Sequence, residues 1–181
     1  MSPISRYKKI IIKEQLMPDR AQLNAIGKLD ALQLELTSKK PTLSSTAEIR
    51  LTTSTQLQGL YLHGPVGRGK SLLMNIFFES LPDHLKLRLH FHRFMARVHH
   101  DLREASGLEE PLEFVADRLA DESKVLCFDE FFISDIGDAM ILYRLFNALF
   151  NRGVTLVATS NISIENLYQD GLHRPRFEPA I

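Results

Sequence analysis

Residues 60–77 read LYLHGPVGRGKSLLMNIF. Two apolar runs are separated by three glycines, a proline and a lysine. Gly64, Gly69, Lys70 and Ser71 fit the pattern G-x-x-x-x-G-K-[ST], and Gly67 adds the G-x-x-G-x-G-K-S form. Gly59–His63 is a short apolar run bounded by turn residues, which predicts a buried strand. Ser71–Leu81 is apolar nearly all round, which predicts a buried helix ended by Pro82. Glycines between a strand and a helix can take positive φ without a Cβ clash. Backbone N–H groups then turn inward and form an anion-binding concavity at a helix start. The phosphate-binding stretch is therefore Gly64, Pro65, Val66, Gly67, Arg68, Gly69, Lys70, Ser71 and Leu72. Lys70 is placed to reach β- and γ-phosphates, and the Ser71 hydroxyl to ligate Mg²⁺.

A second acidic feature lies far along the chain. Val125–Glu130 reads VLCFDE, four apolar residues ending in two carboxylates. In a parallel sheet the carboxyl ends of strands form the ligand edge. Asp129 would then lie beside the phosphate loop and hold Mg²⁺ through its water shell. Glu130 would orient or deprotonate the attacking water. An ordinary acidic strand exit is the competing reading.

The remaining pattern alternates strands and helices. Residues 18–37 predict an amphipathic helix opened by Pro18-Asp19, and 38–56 a linker rich in Ser, Thr and Lys. Strands are predicted at Leu60–His63, Lys86–His92, Val125–Phe128 and Val154–Ala158. Helices are predicted at Phe94–Ala105, Pro111–Glu122, Asp135–Asn151 with Ser134 as cap, and Ile164–Gln169. This order implies an α/β fold with a parallel sheet and right-handed crossovers.

Two polar groups follow the last strand. Asn161 would position a water against a γ-phosphate, although a turn asparagine is the plainer reading of the residue alone. Arg174 and Arg176 would stabilise charge on the phosphate of a neighbouring subunit, although a solvated surface pair is the plainer reading.

Composition narrows the classes. At 181 residues this is one domain, or one and a piece, with an ordinary apolar fraction of 44%. Formal net charge is zero, so the whole chain carries no electrostatic footprint for nucleic acid. Residues 1–55 are mildly basic, with nine Lys/Arg against five Asp/Glu. Cys127 is the only cysteine, which excludes an intrachain disulfide and fits a reducing compartment. It lies in an apolar run and reads as a small buried hydrophobe. No apolar run reaches the length of a membrane span. The start, MSPISRYKKIIIK, has no secretory h-region; a mitochondrial presequence is the alternative there, since acids are absent before Glu14. His90, His92, His99 and His100 raise a zinc site. His90 and His92 would share a strand face, but no cysteine is near, and a structural role is preferred.

GPVGRGKS, RLHFHRFM, LCFDEFFISDIGDAM, TLVATSN and GLHRPRF, in this order, resemble the ZapE cell-division ATPases. These are the bacterial branch of an AAA+ family whose other members are mitochondrial. The match is strong over about residues 59–181 and weaker over 5–40. The resemblance implies a P-loop NTPase of AAA+ type that binds ATP and Mg²⁺ between subunits of a ring, with a bacterial cytoplasmic location. By it, Lys70 and Ser71 are Walker A, and Asp129 and Glu130 are Walker B. Asn161 is sensor 1, and Arg174 or Arg176 is the arginine finger. It also implies a link to the FtsZ division ring, and it places the segment after the second strand, with Phe94 and Met95, at a ring pore.

The sheet order implied is 5-1-4-3-2. The chain stops at Ile181, so the fifth strand and the helical lid are expected to be missing, leaving residues 1–56 as N-terminal helix and linker and 57–181 as an incomplete core. The edge of Leu60–His63 is then expected to self-associate, or to be covered by the N-terminal arm. Two other functions compete with ATP hydrolysis: a nucleotide-binding module without turnover, and a helicase-loader-like protein acting on nucleic acid.

Overall fold

The run VLCFD is apolar at four successive positions, and all five of its residues are buried. Such a strand needs cover on both faces, which the interior of a parallel sheet provides. The computed structural model describes residues 1–38, 59–169, 171 and 174. Its sheet has four parallel strands: β1 (Leu60–His63), β2 (Lys86–His90), β3 (Val125–Asp129) and β4 (Thr155–Ser160), in the spatial order β1-β4-β3-β2. The helices are α1 (Pro3–Lys13), α2 (Arg20–Ser38), α3 (Lys70–Ser80), α4 (Phe91–Glu104), α5 (Pro111–Glu122) and α6 (Ile136–Asn151). Single 3₁₀ turns occupy Asp83–Leu85 and Ile164–Asn166.

Strand alternation sorts the molecule into three layers. Leu126, Phe128 and Ala158 face a core built with α4, α5 and α6. Val125, Cys127 and Val157 face the other way, onto α3 and the two N-terminal helices, with Tyr7, Ile26 and Leu29 in the same cluster. Burial pushes the Cys127 thiol up to about 12, in keeping with a hydrophobe rather than a nucleophile.

Several boundaries differ from the sequence expectations. The start of the chain is a helix, α1, opened by Pro3 at its first turn. Its Ile4 N–H donates to Asp30 Oδ1 of α2 at 2.9 Å, and its Arg6 pairs with Glu79 of α3. The stripe Ile4, Tyr7, Ile10 and Ile11 has helical spacing and packs against the α3-side core. The second strand stops at His90, and α4 begins at Phe91. His90 and His92 therefore do not share a strand face; their rings stack at 5.9 Å across the strand-to-helix junction. Phe94 and Met95 are 0% and 4% exposed, so they are core residues of α4 and present nothing to a pore. Asp135, not Ser134, caps α6, its Oδ1 accepting from the N–H groups of Gly137 and Asp138 at 2.7 and 3.1 Å. The last strand runs on to Ser160, and the expected helix after it shortens to Ile164–Asn166. Of the expected linker, residues 39–56 lie outside the described residues.

Among the described residues β1 pairs only with β4, so it stands at the sheet edge. Leu60 and Leu62 pack against the cluster that contains Tyr7 and Ile26, a contact on the face of β1 rather than at its edge. No helix among the described residues is long and apolar enough to cross a membrane.

Phe94 tests its reassignment to the core. Phe94→Ala is expected to cost about 3–5 kcal/mol of stability through lost burial and a residual cavity. A denaturant midpoint unchanged by the substitution would return Phe94 to the surface.

Candidate functional site

The site is built at the carboxyl edge of the sheet. Parallel pairing sets His63 of β1 opposite Ser160 of β4, and Phe128 of β3 opposite Ala158. The chain leaving each strand at that edge therefore carries Gly64, Glu130 and Asn161 toward one another. Gly64 N–H donates to the Ser160 carbonyl at 3.3 Å, and Phe131 N–H to the Thr159 carbonyl at 2.7 Å. The buried Ser160 hydroxyl donates to the Phe131 carbonyl at 2.7 Å. These bonds extend the ladder past the strands and fix the three exits as one unit.

The phosphate loop follows β1 directly. Gly67 and Gly69 have φ of 81° and 79°, and Gly64 has φ of 150°. Left-handed backbone of this kind favours glycine. Lys70 is the first residue of α3, with Gly69 as its cap. Its Nζ donates to the carbonyls of Gly64 at 2.5 Å and Pro65 at 2.9 Å, and to Asn161 Oδ1 at 2.9 Å. The ammonium is thus aimed across the loop and already joined to the residue after β4.

A cavity of about 370 Å³ is lined by Val66, Arg68, Lys70, Ser71, Glu130 and Asn161, together with Gly67, Gly69, Thr159 and Ser160. Sequence residues from three separate strand exits are brought together there. Glu130 is exposed to this space and has φ of 57°. A non-glycine residue in that region stores strain of order 1 kcal/mol or more. Its N–H donates to Thr159 Oγ1 at 3.3 Å, which helps hold it.

Asp129 is placed differently. It is 9% exposed and turned toward α3, on the same sheet face as Cys127. Both carboxylate oxygens accept from Arg88 of β2, Nε to Oδ2 at 2.6 Å and Nη2 to Oδ1 at 3.0 Å. Arg88 Nη1 also donates to Asn75 Oδ1 at 2.5 Å. Asn75 is one turn beyond Ser71 on α3, so the fork fixes the spacing between the Ser71 helix and the Asp129 strand. Ionised carboxylate oxygens keep acceptor capacity beyond one bond each. The Ser71 hydroxyl and the Asp129 carboxylate are oxygen donors of the hard kind that suits Mg²⁺. The residues present therefore fit the ion, with Ser71 and Asp129 as the side chains that would hold it.

Arg88 and Asn75 were not singled out from the sequence. A signal existed, since KLRLH places a cation on a strand face that a helix must cover, and a buried charge needs a partner.

The two arginines near the C-terminal end differ in what can be said. Arg174 Nη2 donates to the Glu165 carbonyl at 2.6 Å, folding the side chain back on the segment after β4. Arg176 lies outside the described residues. The histidines do not converge: His99 Nε2 meets Asp138 Oδ1 at 2.7 Å, while His100 pairs with Glu104 on the same helix at 3.3 Å.

A second cavity, about 520 Å³, adjoins the first across the phosphate loop. Ala21, Gln22, Asn24, Ala25 and Lys28 of α2 line one side, and Leu60–Pro65 with Arg68 and Lys70 the other.

The model of the AFG1-like ATPase family matches residues 1–181. Cell division protein ZapE of Escherichia coli K12 is 47% identical over 192 residues, covering 100% of this chain and 51% of that protein. Lactation elevated protein 1 homolog B of Danio rerio is 43% identical, covering 68% of this chain and 27% of its own length. The chain thus spans about half the length, or less, of these relatives. Among solved structures, DnaI superposes with a TM-score of 0.61 at 17% identity, covering 91% of this chain and 78% of that chain. AMPPCP-bound DnaA from Aquifex aeolicus gives 0.59 at 14% identity, covering 92% and 47%. These likenesses place the sheet and its helices in the P-loop AAA+ fold.

Arg88→Met is expected to destabilise the chain by about 2 kcal/mol, because a mostly buried carboxylate loses two charge-assisted bonds. Adding Asp129→Asn to it should return part of that loss, as the uncompensated charge is then gone. A denaturation series on the two single variants and the double measures the coupling; additive losses would show that the pair is not a unit.

Proposed function

From the premise that this chain belongs to the AFG1-like ATPase family, we propose that it binds ATP at the loop Gly64–Leu72 and hydrolyses it. The observation that carries the reading is one cavity lined by Lys70, Ser71, Glu130 and Asn161, which arrive from three strand exits. In this reading residues 57–181 are the nucleotide-binding core, and 1–56 its N-terminal helices and linker.

The residues divide the work by their chemistry. Backbone N–H groups of the loop bind the phosphates at the α3 start, where the helix dipole favours negative charge. Lys70 exchanges its Gly64 and Pro65 carbonyls for β- and γ-phosphate oxygens. Ser71 and Asp129 would hold Mg²⁺, which would supply neutralisation of the phosphate charge. Glu130 accepts a proton from a water as that water attacks the γ-phosphorus and the bond to the bridging oxygen breaks. Asn161, already bonded to Lys70, orients that water. The second cavity, contiguous with the loop, receives the nucleoside. Arg174 or Arg176 serves a neighbouring subunit's phosphate in a ring. The partner is a protein of cell division, with the FtsZ ring as the one that the family resemblance supplies. The cytoplasm is the place of action that the family resemblance implies.

Two substitutions separate binding from chemistry. Lys70→Ala is expected to abolish binding of a fluorescent ATP analogue. Glu130→Gln is expected to bind it normally yet lose turnover by about 100-fold or more, since an amide cannot take the proton. Binding unchanged in the first, or turnover unchanged in the second, removes the corresponding assignment.

A further inference from the structure

Two side chains at the start of α2, Asp19 and Gln22, reach the outer side of the phosphate loop, and Tyr7 of α1 backs Gln22. Gln22 Nε2 donates to the Arg68 carbonyl at 3.0 Å. The Tyr7 hydroxyl, on a side chain only 1% exposed, donates to Gln22 Oε1 at 2.8 Å. The Arg68 guanidinium pairs with Asp19 Oδ2 at 2.9 Å. Asp19 is itself fixed, because its Oδ1 accepts from the Ala21 and Gln22 N–H groups at the start of α2. The approach is close: a Cβ at Gly69 would stand 2.7 Å from Gln22 Nε2.

The orientation of the amide follows from chemistry. The Arg68 carbonyl has no hydrogen, so only the NH₂ end of Gln22 can face it. Oε1 then faces the Tyr7 hydroxyl, which must donate. The consequence for the loop follows from peptide planarity. In a trans peptide the carbonyl and the next N–H point to opposite sides. Holding the Arg68 carbonyl toward α2 therefore turns the Gly69 N–H away from α2. Gln22 lines the cavity on one side of the loop, and Glu130 and Asn161 line the cavity on the other, with Arg68 and Lys70 bordering both. The Gly69 N–H is thus aimed at the side where the phosphates are proposed to bind.

We propose that Gln22, supported by Tyr7 and Asp19, is a positioning residue for nucleotide phosphate: the N-terminal helices hold the phosphate loop in its anion-binding shape from outside. This rests on the reading of residues 64–72 as the ATP site. It makes α1 and α2 part of the nucleotide site, and a displacement of these helices would lower affinity without touching a residue that contacts the phosphates.

The test uses the full chain and two ligands, a fluorescent ATP analogue and inorganic tripolyphosphate as its competitor. Tripolyphosphate has no base, so it reports on the loop alone. Gln22→Met keeps length and loses the donor; Tyr7→Phe keeps the buried ring and loses the hydroxyl. Both are expected to weaken the two ligands in parallel by about 3- to 10-fold, the range spanned by one hydrogen bond. The Gly69 amide should exchange faster in both variants without nucleotide, a change that general loss of stability would spread over the sheet. If Gln22→Met fails to fold, Tyr7→Phe alone decides. Tripolyphosphate binding within twofold of the parent, while Lys70→Ala abolishes it, overturns the proposal and leaves the ATP site standing. Loss of the ATP analogue with tripolyphosphate unchanged also overturns it, by making Gln22 a contact to the nucleoside. Unchanged binding in Lys70→Ala shows instead that the site itself is misassigned, and the proposal falls with it.

Discussion

The structure depends on the parallel register of β1, β4 and β3. Because neighbouring strands run the same way, their carboxyl ends emerge at one edge, and the ladder sets which residues emerge side by side. His63 opposite Ser160 and Phe128 opposite Ala158 bring Gly64, Glu130 and Asn161 together. A one-residue slip of β4 would exchange its two faces, moving Val157 and Ala158 into the wrong cores. The apolar faces that stabilise the sheet are therefore the same agent that aligns the site.

Two supports act on that edge from opposite sides. Within the sheet, Arg88 holds both oxygens of Asp129 and ties them to Asn75 on α3. Outside the sheet, Gln22, Tyr7 and Asp19 hold the phosphate loop at Arg68. Each joins elements far apart in sequence. The cation and carboxylate at Arg88 and Asp129 are largely shielded from water, so their bonds are stronger than those of a surface pair. The loop support is more exposed and rests mainly on hydrogen bonds whose geometry, rather than charge, carries the effect.

What could be read from the chain divides along the same line. The phosphate loop, β3 and α6 were legible because their signals are local: glycines before a lysine, a continuous apolar run, and a helical apolar pattern. The acidic pair Asp129-Glu130 was legible as a strand exit. The sequence did not separate their environments, one carboxylate buried on an arginine and the other exposed on a left-handed backbone. The strand-to-helix switch after His90 was missed because HFHRF alternates well enough to continue a strand, while packing against Phe128 and Phe131 favours helix from Phe91. Phe94 and Met95 were placed at a pore by resemblance, and burial moves them to the core. Gln22 reads as an ordinary helix residue and Tyr7 lies where the sequence predicts no element; neither shows its role, because Gln22 bonds a carbonyl 46 positions away and Tyr7 acts only through Gln22.

The central claim is that residues from three strand exits form one nucleotide site. Amide hydrogen exchange of the chain with and without ATP and Mg²⁺ tests it most directly. The account predicts that protection rises together, over one ATP concentration range, at Gly67–Ser71, at Glu130 and Phe131, and at Asn161 and Ile162. Protection confined to the glycine loop, with the β3 and β4 exits unchanged at saturating ATP, would contradict it.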